Sequence, residues 1–214
     1  MSGFRSVILD VDSTLAGIEG IDWLAARRGL GVAEEIAELT SKAMDGSLAI
    51  ESLYGLRLDL VRPSREEVAA LTEAYMAQVA PGAREAIGRL RTAGVATHIV
   101  SGGLREALLP FAAWLGFAPA EVHAVGISFD RAGRYAGWET SSPLATSGGK
   151  GVVMKGLALP APTLAVGDGS TDLALRAAGA TFAAYTGFVR REAVVANADH
   201  LLGSFDQLPP LVIP

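Results

Sequence analysis

The sequence predicts an α/β fold, in which a parallel sheet forms the core and an α-helical cap is inserted after the first strand. Three observations carry this prediction. Short apolar runs end in polar signatures at three places, helical patterns separate these runs, and residues 17–80 contain helical patterns alone. Strands that alternate with helices build parallel sheets with right-handed crossovers. A functional site in such a sheet lies beyond the carboxyl ends of the strands.

The core strands are predicted from continuous apolar runs, because strands buried on both faces lack polar alternation. The clearest runs are residues 6–10, 95–100 and 163–166, and weaker candidates are 181–185 and 200–202. Helical patterns in the core lie between Gly82 and Gly94, at 104–114 and at 170–178. A weak alternation over residues 122–139 predicts a β-hairpin that turns at 130–133.

The insert (residues 17–80) is predicted to hold helices at 32–44, 48–61 and 64–78. Ser64 and Glu67 have the spacing of a capping box, and Pro63 ends the preceding helix. A helical block at this position is typical of a cap that shields a site from water. We therefore expect a core domain of residues 1–16 and 81–214, and a cap domain of residues 17–80.

Composition narrows the class of protein. Of the 214 residues, 50% are hydrophobic and 19% are charged, which suits a globular domain with a large core rather than a disordered chain. The net charge of -5 and the lack of Lys/Arg runs argue against nucleic acid as a partner. No apolar segment is long enough to suggest a membrane span or a signal peptide. With no cysteine in the chain, we expect a cytoplasmic protein.

Acidic residues follow two of the predicted strands. Asp10 and Asp12 end the first strand, and Asp168 follows the third. Paired acids at a turn are common as helix caps, but three acids at neighbouring strand ends favour a site for a hard cation such as Mg²⁺. Such acids repel a phosphate, because two unit charges ~4 Å apart cost about 4 kcal/mol at an effective dielectric constant of ~20.

Two further segments supply groups that attract phosphate. Ser101-Gly102-Gly103 offers a hydroxyl and backbone N–H groups at an expected helix start. Lys150 supplies a cation from a glycine-rich stretch, and the alternative for this residue is a surface lysine in a turn. A nucleotide-binding phosphate loop is excluded, because Leu144 and Gly151 stand where that motif requires Gly and Ser or Thr.

Four motifs occur together in one order along the chain. They are Asp10-Val11-Asp12-Ser13-Thr14, Ser101-Gly102-Gly103, Lys150, and Gly167-Asp168-Gly169-Ser170-Thr171-Asp172. The set resembles the haloacid-dehalogenase-like (HAD) phosphatases over nearly the whole chain, and within them the phosphoserine phosphatase family. The resemblance implies the HAD fold, with a Rossmann-like parallel-sheet core and a helical cap.

The resemblance also implies a mechanism. Asp10 would be the nucleophile and would form an aspartyl-phosphate. Asp12 would protonate the leaving hydroxyl and then activate the hydrolytic water. Mg²⁺ would be held by the Asp10 carboxylate, the Asp12 backbone carbonyl and Asp168, with Asp172 close behind.

The expected substrate is a small phosphate ester, O-phospho-L-serine by resemblance. The residues implied to bind its phosphate are Ser101, Gly102, Lys150 and Thr171, and those implied to bind its serine part are Glu19, Met44, Arg57 and Gly103. Glu19 suits the ammonium group, and the Arg57 fork suits the carboxylate. The alternatives are a solvated helix face for Glu19 and Arg57, and core packing for Met44.

Other functions remain open at this point. The alternative within the same class is a phosphatase of this fold that acts on another small phosphate, such as phosphohomoserine, histidinol phosphate or a sugar phosphate. A phosphoacceptor signalling domain would explain Asp10, Asp168 and Lys150, but it explains neither Asp12 nor the insert. A scaffold without activity is opposed by the complete motif set. The sequence does not predict the oligomeric state.

Overall fold

A parallel sheet of six strands forms the centre of the protein in the computed structural model, which describes residues 3–44 and 46–213. The strands of the chain are β1 (Ser6–Leu9), β2 (Ala96–Leu104), β3 (Val122–Val125), β4 (Ile127–Phe129), β5 (Tyr135–Trp138), β6 (Thr163–Gly167), β7 (Thr181–Tyr185) and β8 (His200–Leu202). The sheet has the order β3-β2-β1-β6-β7-β8, and every neighbouring pair is parallel. The α/β prediction is confirmed.

The helices follow the alternation that the sequence predicts. They are α1 (Gly20–Ala25), α2 (Leu30–Met44), α3 (Tyr54–Val61), α4 (Arg65–Ala77), α5 (Ala83–Thr92), α6 (Arg105–Leu115), α7 (Gly149–Leu157), α8 (Leu173–Ala177), α9 (Glu192–Val195) and α10 (Leu208–Val212). The capping box is present at the start of α4, where Ser64 and Glu67 exchange side-chain and backbone hydrogen bonds. In the described part of the chain, none of these helices has the length and apolarity needed to span a membrane.

β1 lies in the middle of the sheet, between β2 and β6. All four of its residues are buried, and Ser6 pairs in register with Ala96 on one side and Thr163 on the other. The carboxyl end of β1 therefore meets the carboxyl ends of both neighbours at one edge of the sheet. This edge is where the chain leaves for the insert.

The chain enters and leaves the insert through a narrow neck. Gly17 N donates a hydrogen bond to Gln78 O at 2.9 Å, and Ala80 N donates to Leu15 O at 2.8 Å. The last helix of the insert, α4, packs against α6 of the core, where Thr72 Oγ1 donates to Ala107 O at 3.0 Å. The division into a core domain and a separate cap domain stays a prediction.

The prediction that Ser101–Gly103 stands at a helix start is wrong, because this segment lies inside β2. Val100 pairs with His123 and Leu104 with Val125, so four residues of β2 advance against two of β3. This bulge leaves backbone groups of the segment available to other partners. The helix that follows, α6, begins only at Arg105.

Two other predictions need correction. Residues 122–125 join the main sheet as β3, because three of these four residues are buried there, and the hairpin is limited to β4 and β5. Residues 48–53 do not belong to α3, since the backbone N–H of Ile50 and the carboxylate of Glu51 bind Ser147 of the core instead. The helix α7, which carries Lys150, was not predicted at all.

Candidate active site

A cavity opens where the carboxyl ends of β1 and β2 face the insert. The core contributes Asp10, Asp12, Ser101, Gly102, Leu144, Lys150 and Thr171 to its wall, and the insert contributes Glu19, Ile21, Met44, Ile50, Tyr54 and Arg57. The structure thus brings nine of the predicted site residues to one cavity. The other predicted residues, Gly103, Asp168 and Asp172, lie next to these wall residues rather than on the wall.

Lys150 is the cation at the bottom of this cavity. Its Nζ lies 2.7 Å from Asp10 Oδ2 and 2.6 Å from Asp172 Oδ1. Burial alone lowers the pKa of the Lys150 ammonium, but the two carboxylates outweigh burial and raise that pKa above its ordinary value. Because Lys150 is only 3% exposed, the alternative of a surface lysine in a turn is wrong.

The carboxylates of Asp10, Asp168 and Asp172 form a buried cluster. One oxygen of each lies within 4.8 Å of the others. Asp168 accepts hydrogen bonds from Thr14 Oγ1 at 3.2 Å and from Arg191 Nε at 3.1 Å. Burial, together with the negative charges of Glu19, Asp172 and Asp10, raises the pKa of Asp168 well above its ordinary value.

The cluster fits a hard divalent cation. Asp10 Oδ1 is buried and has no hydrogen-bond partner within the described part of the chain, so one carboxylate oxygen is left without compensation there. The donors present are carboxylate and hydroxyl oxygens, which Mg²⁺ and Ca²⁺ prefer over nitrogen or sulfur. Asp172 is the least accessible of the three acids, because Lys150 Nζ and Gly169 N already occupy its two oxygens.

Asp12 lies beside this cluster, and one of its oxygens is held twice. Tyr75 Oη donates to Asp12 Oδ1 at 2.6 Å, and Gly20 N donates to the same atom at 3.1 Å. Burial raises the pKa of Asp12 to about 7, although the Tyr75 hydrogen bond acts in the opposite direction. Asp12 can therefore exist in both protonation states near neutral pH.

The insert places the carboxyl group of Glu19 and the guanidinium group of Arg57 on the opposite wall of the cavity. Ser13 Oγ donates to Glu19 Oε1 at 2.8 Å, and burial followed by the charge of Asp12 raises the pKa of Glu19 to about 8. Arg57 is 4% exposed and pairs with Asp22 at 3.1 Å, while its Nε has no hydrogen-bond partner among residues 3–44 and 46–213. The alternative of a solvated helix face is wrong for Arg57. Met44 both packs against the core and lines the cavity.

The bulged segment of β2 closes the cavity on the core side. Ser101 Oγ accepts a hydrogen bond from Gly103 N at 3.1 Å. Tyr54 Oη of the insert donates to Gly102 O at 2.7 Å, and its ring contacts Trp138 at a centroid distance of 5.0 Å. The insert and the predicted phosphate-binding segment are thus joined directly.

Sequence reasoning missed four polar residues that bond to predicted site residues: Asp22, Tyr54, Tyr75 and Arg191. Tyr54 and Tyr75 lie on helices whose apolar spacing indicates core packing only. Arg191 adjoins Arg190 in a segment without periodicity. Asp22 lies three residues after Glu19, one helical turn away, and this spacing was the one signal that could have revealed it.

Comparison with known proteins identifies relatives over nearly the full length. The family model of the haloacid dehalogenase-like hydrolases matches residues 7–176. The chloroplastic phosphoserine phosphatase of Arabidopsis thaliana is 36% identical over 209 residues, which cover 95% of this chain and 70% of that protein. The phosphoserine phosphatase of Bos taurus is 35% identical over 206 residues, which cover 95% and 91%.

A solved structure shows the same fold. It is described as a phospho-aspartyl intermediate analogue of phosphoserine phosphatase, and it superposes with a TM-score of 0.80 at 25% sequence identity. The match covers 95% of each chain. The similarity therefore includes both the sheet and the insert.

Proposed function

Because the chain belongs to the phosphoserine phosphatase family of haloacid dehalogenase-like hydrolases, we propose that it hydrolyses O-phospho-L-serine to L-serine and phosphate. The observation that carries the choice of substrate is a carboxyl group and a guanidinium group on the insert wall, and an ammonium group bound beside Glu19 would favour the ionised form of its carboxyl group. Glu19 and Arg57 line the same cavity as Asp10. A serine with a free ammonium and a free carboxylate matches this pair.

Asp10 is the nucleophile in this proposal. Its carboxylate attacks phosphorus, a bond forms between Asp10 oxygen and phosphorus, and the bond between phosphorus and the serine oxygen breaks. Asp12 gives its proton to the departing serine oxygen. Asp12 then takes a proton from the water that attacks the aspartyl-phosphate, which releases phosphate and restores Asp10. One carboxyl group thus serves as acid and then as base.

Charge stabilisation comes from several groups. Lys150 holds Asp10 Oδ2, and with Ser101, Gly102 and Thr171 it would bind the phosphate oxygens. Asp10, the Asp12 carbonyl and Asp168 would hold Mg²⁺, with Asp172 behind them. When bound, this ion neutralises negative charge on the transferred phosphoryl group. Met44 and Gly103 would border the serine part of the substrate.

The first test is phosphate release from O-phospho-L-serine with Mg²⁺. A panel of phosphohomoserine, histidinol phosphate and sugar phosphates is measured beside it. We expect preference for phosphoserine, and loss of activity both with a chelator and in Asp10→Asn. Equal rates across the panel would refute the substrate assignment and keep the nucleophile. No release from any ester would refute the proposal as a whole.

Arg57→Met tests how the substrate is recognised. A charge-assisted bidentate contact contributes about 2–3 kcal/mol, so we expect KM for phosphoserine to rise roughly 30- to 150-fold. O-phosphoethanolamine has no carboxylate and serves as the control substrate, whose KM should change less than about threefold. An equal rise for both substrates would assign Arg57 to cavity structure instead of carboxylate binding.

A further inference from the structure

Tyr75 is a fully buried tyrosine whose hydroxyl touches the proposed acid/base. It lies in α4 of the insert and has 0% exposure. Its Oη donates to Asp12 Oδ1 at 2.6 Å, and Gly20 N donates to the same oxygen at 3.1 Å. One oxygen of the carboxyl group therefore has two fixed donors.

The second oxygen of Asp12 is placed differently. Among the residues that the structure describes, none makes a hydrogen bond to Asp12 Oδ2. This atom lies on the side of Gly103, where an added Cβ would come within 3.5 Å of it. The two donors on Oδ1 thus orient the carboxyl group, while Oδ2 accepts no hydrogen bond from the described residues and lies beside the bulged segment of β2.

The position of the Tyr75 hydroxyl is set by contacts with two other helices, α6 and α1. Its ring stacks on Phe111 of α6, with centroids 5.5 Å apart. Thr72, one turn earlier on α4, is bonded to Ala107 of the same core helix. At Gly20, a Cβ would lie 2.2 Å from Tyr75 Oη, so only glycine leaves room for the hydroxyl. The contact with Asp12 is therefore built into the packing between the insert and the core.

We propose that Tyr75 is a positioning residue, which holds Asp12 Oδ1 so that Oδ2 faces the leaving oxygen of the substrate. The inference rests on the proposed function, because it concerns the proton that Asp12 gives to the departing alcohol. A general acid contributes about 10²- to 10⁴-fold in rate. An acid that is free to rotate loses part of this factor, and we expect the loss to be about 10- to 100-fold.

Two substrates with different leaving groups distinguish a positioning role of Tyr75 from a purely structural role. Serine departs as a poorly stabilised alkoxide unless it receives a proton, whereas p-nitrophenyl phosphate releases a stable phenolate that needs little help. The value of kcat/KM reports the steps up to departure of the alcohol. Hydrolysis of the aspartyl-phosphate is common to both substrates and does not enter this comparison.

The experiment measures kcat/KM of Tyr75→Phe for O-phospho-L-serine and p-nitrophenyl phosphate, with Mg²⁺ present. We expect a fall of about 10- to 100-fold for phosphoserine and less than about threefold for the aryl ester. Asp12→Asn should show the same selectivity, with a larger loss. Tyr54→Phe is the matched control, since it removes another buried phenol hydroxyl of the insert, one that donates to Gly102 O instead of Asp12. It should leave the ratio of the two substrates unchanged.

Equal losses on both substrates in Tyr75→Phe, or no loss on either, would overturn the inference. If that variant does not fold, Phe111→Leu takes its place, because it keeps the hydroxyl and loosens the ring that positions it. The expected result is then a smaller selective loss, and an equal loss overturns the inference. If the unmodified protein hydrolyses neither ester, the proposed function fails, and this inference fails with it. Turnover with an unchanged ratio in the variants refutes the role of Tyr75 alone.

Discussion

Replacing Lys150 with Met removes the ammonium group that stands between two buried carboxylates. The side chains of Lys150, Asp10 and Asp172 are 4%, 9% and 0% exposed, so water cannot take over the role of the cation. Methionine keeps most of the length of the lysine stem. The variant therefore isolates the loss of charge from a loss of packing.

The magnitude follows from the two contacts of 2.7 Å and 2.6 Å. A pair of opposite charges about 4 Å apart is worth about 4 kcal/mol at an effective dielectric constant of ~20. Removing one partner of a buried ion pair typically costs about 3–5 kcal/mol, because the other charge stays buried without compensation. We expect Lys150→Met to lower the free energy of unfolding by that amount.

Urea unfolding followed by circular dichroism, with a chelator present, measures this loss. Lys155→Met is the matched control, because Lys155 is exposed on the same helix and should change stability by less than about 0.5 kcal/mol. In the double variant with Asp172→Asn, the losses should fall short of additivity by at least about 1 kcal/mol. Additive losses, or a loss below about 1 kcal/mol for Lys150→Met, would refute this account of the cluster.

Three further outcomes are expected, each measured by urea unfolding and the last one also by phosphate release. The hydrogen bond from Arg28 lowers the pKa of Glu67 from 4.5 to about 2. The stabilising effect of ionised Glu67 is therefore complete above pH 4.5 and is lost as the pH falls toward 2. The stability difference between the unmodified protein and Glu67→Gln should shrink over that window, and a constant difference would contradict this. Gly88→Ala should add about 0.5–1 kcal/mol, because the position is helical and open, and a loss would contradict it. Gly149→Ala should lower the free energy of unfolding by about 3 kcal/mol and remove most of the phosphatase activity, since the added Cβ would lie 1.6 Å from Pro143 O. Retained stability in this variant would count against the close packing of Gly149 on Pro143.

The family and the sheet could be predicted from the sequence because their signals are local. Apolar β-branched runs before Asp10, Ser101 and Asp168 indicate buried strands, and the order of the motifs indicates the family. Both predictions are confirmed. The motif residues lie in one cavity because the carboxyl ends of parallel strands meet at one edge.

The errors concern features that depend on distant partners. The bulge at Ser101–Gly103 exists because β2 continues beside β3, which the run 95–100 does not reveal. The helix α7 was not predicted because its sequence is rich in glycine, yet Gly149 is required there by the approach of Pro143 O. Burial of Arg57 depends on a partner, Asp22, in another helix. No periodicity in one segment reports such contacts.

The neck of the insert also bears on how much chain entropy is lost when the insert folds. The hydrogen bond from Gly17 to Gln78 closes a loop between positions 61 apart, the difference of 78 and 17. The entropy lost in closing a loop grows with the logarithm of its length, and each doubling adds only about 0.6 kcal/mol. A shorter or longer segment between the same two neck contacts would thus change the closure entropy very little. A change in the length of the segment that carries Glu19 and Arg57 would therefore have little entropic effect, while Asp10 and Asp12 stay in place beyond the carboxyl end of β1.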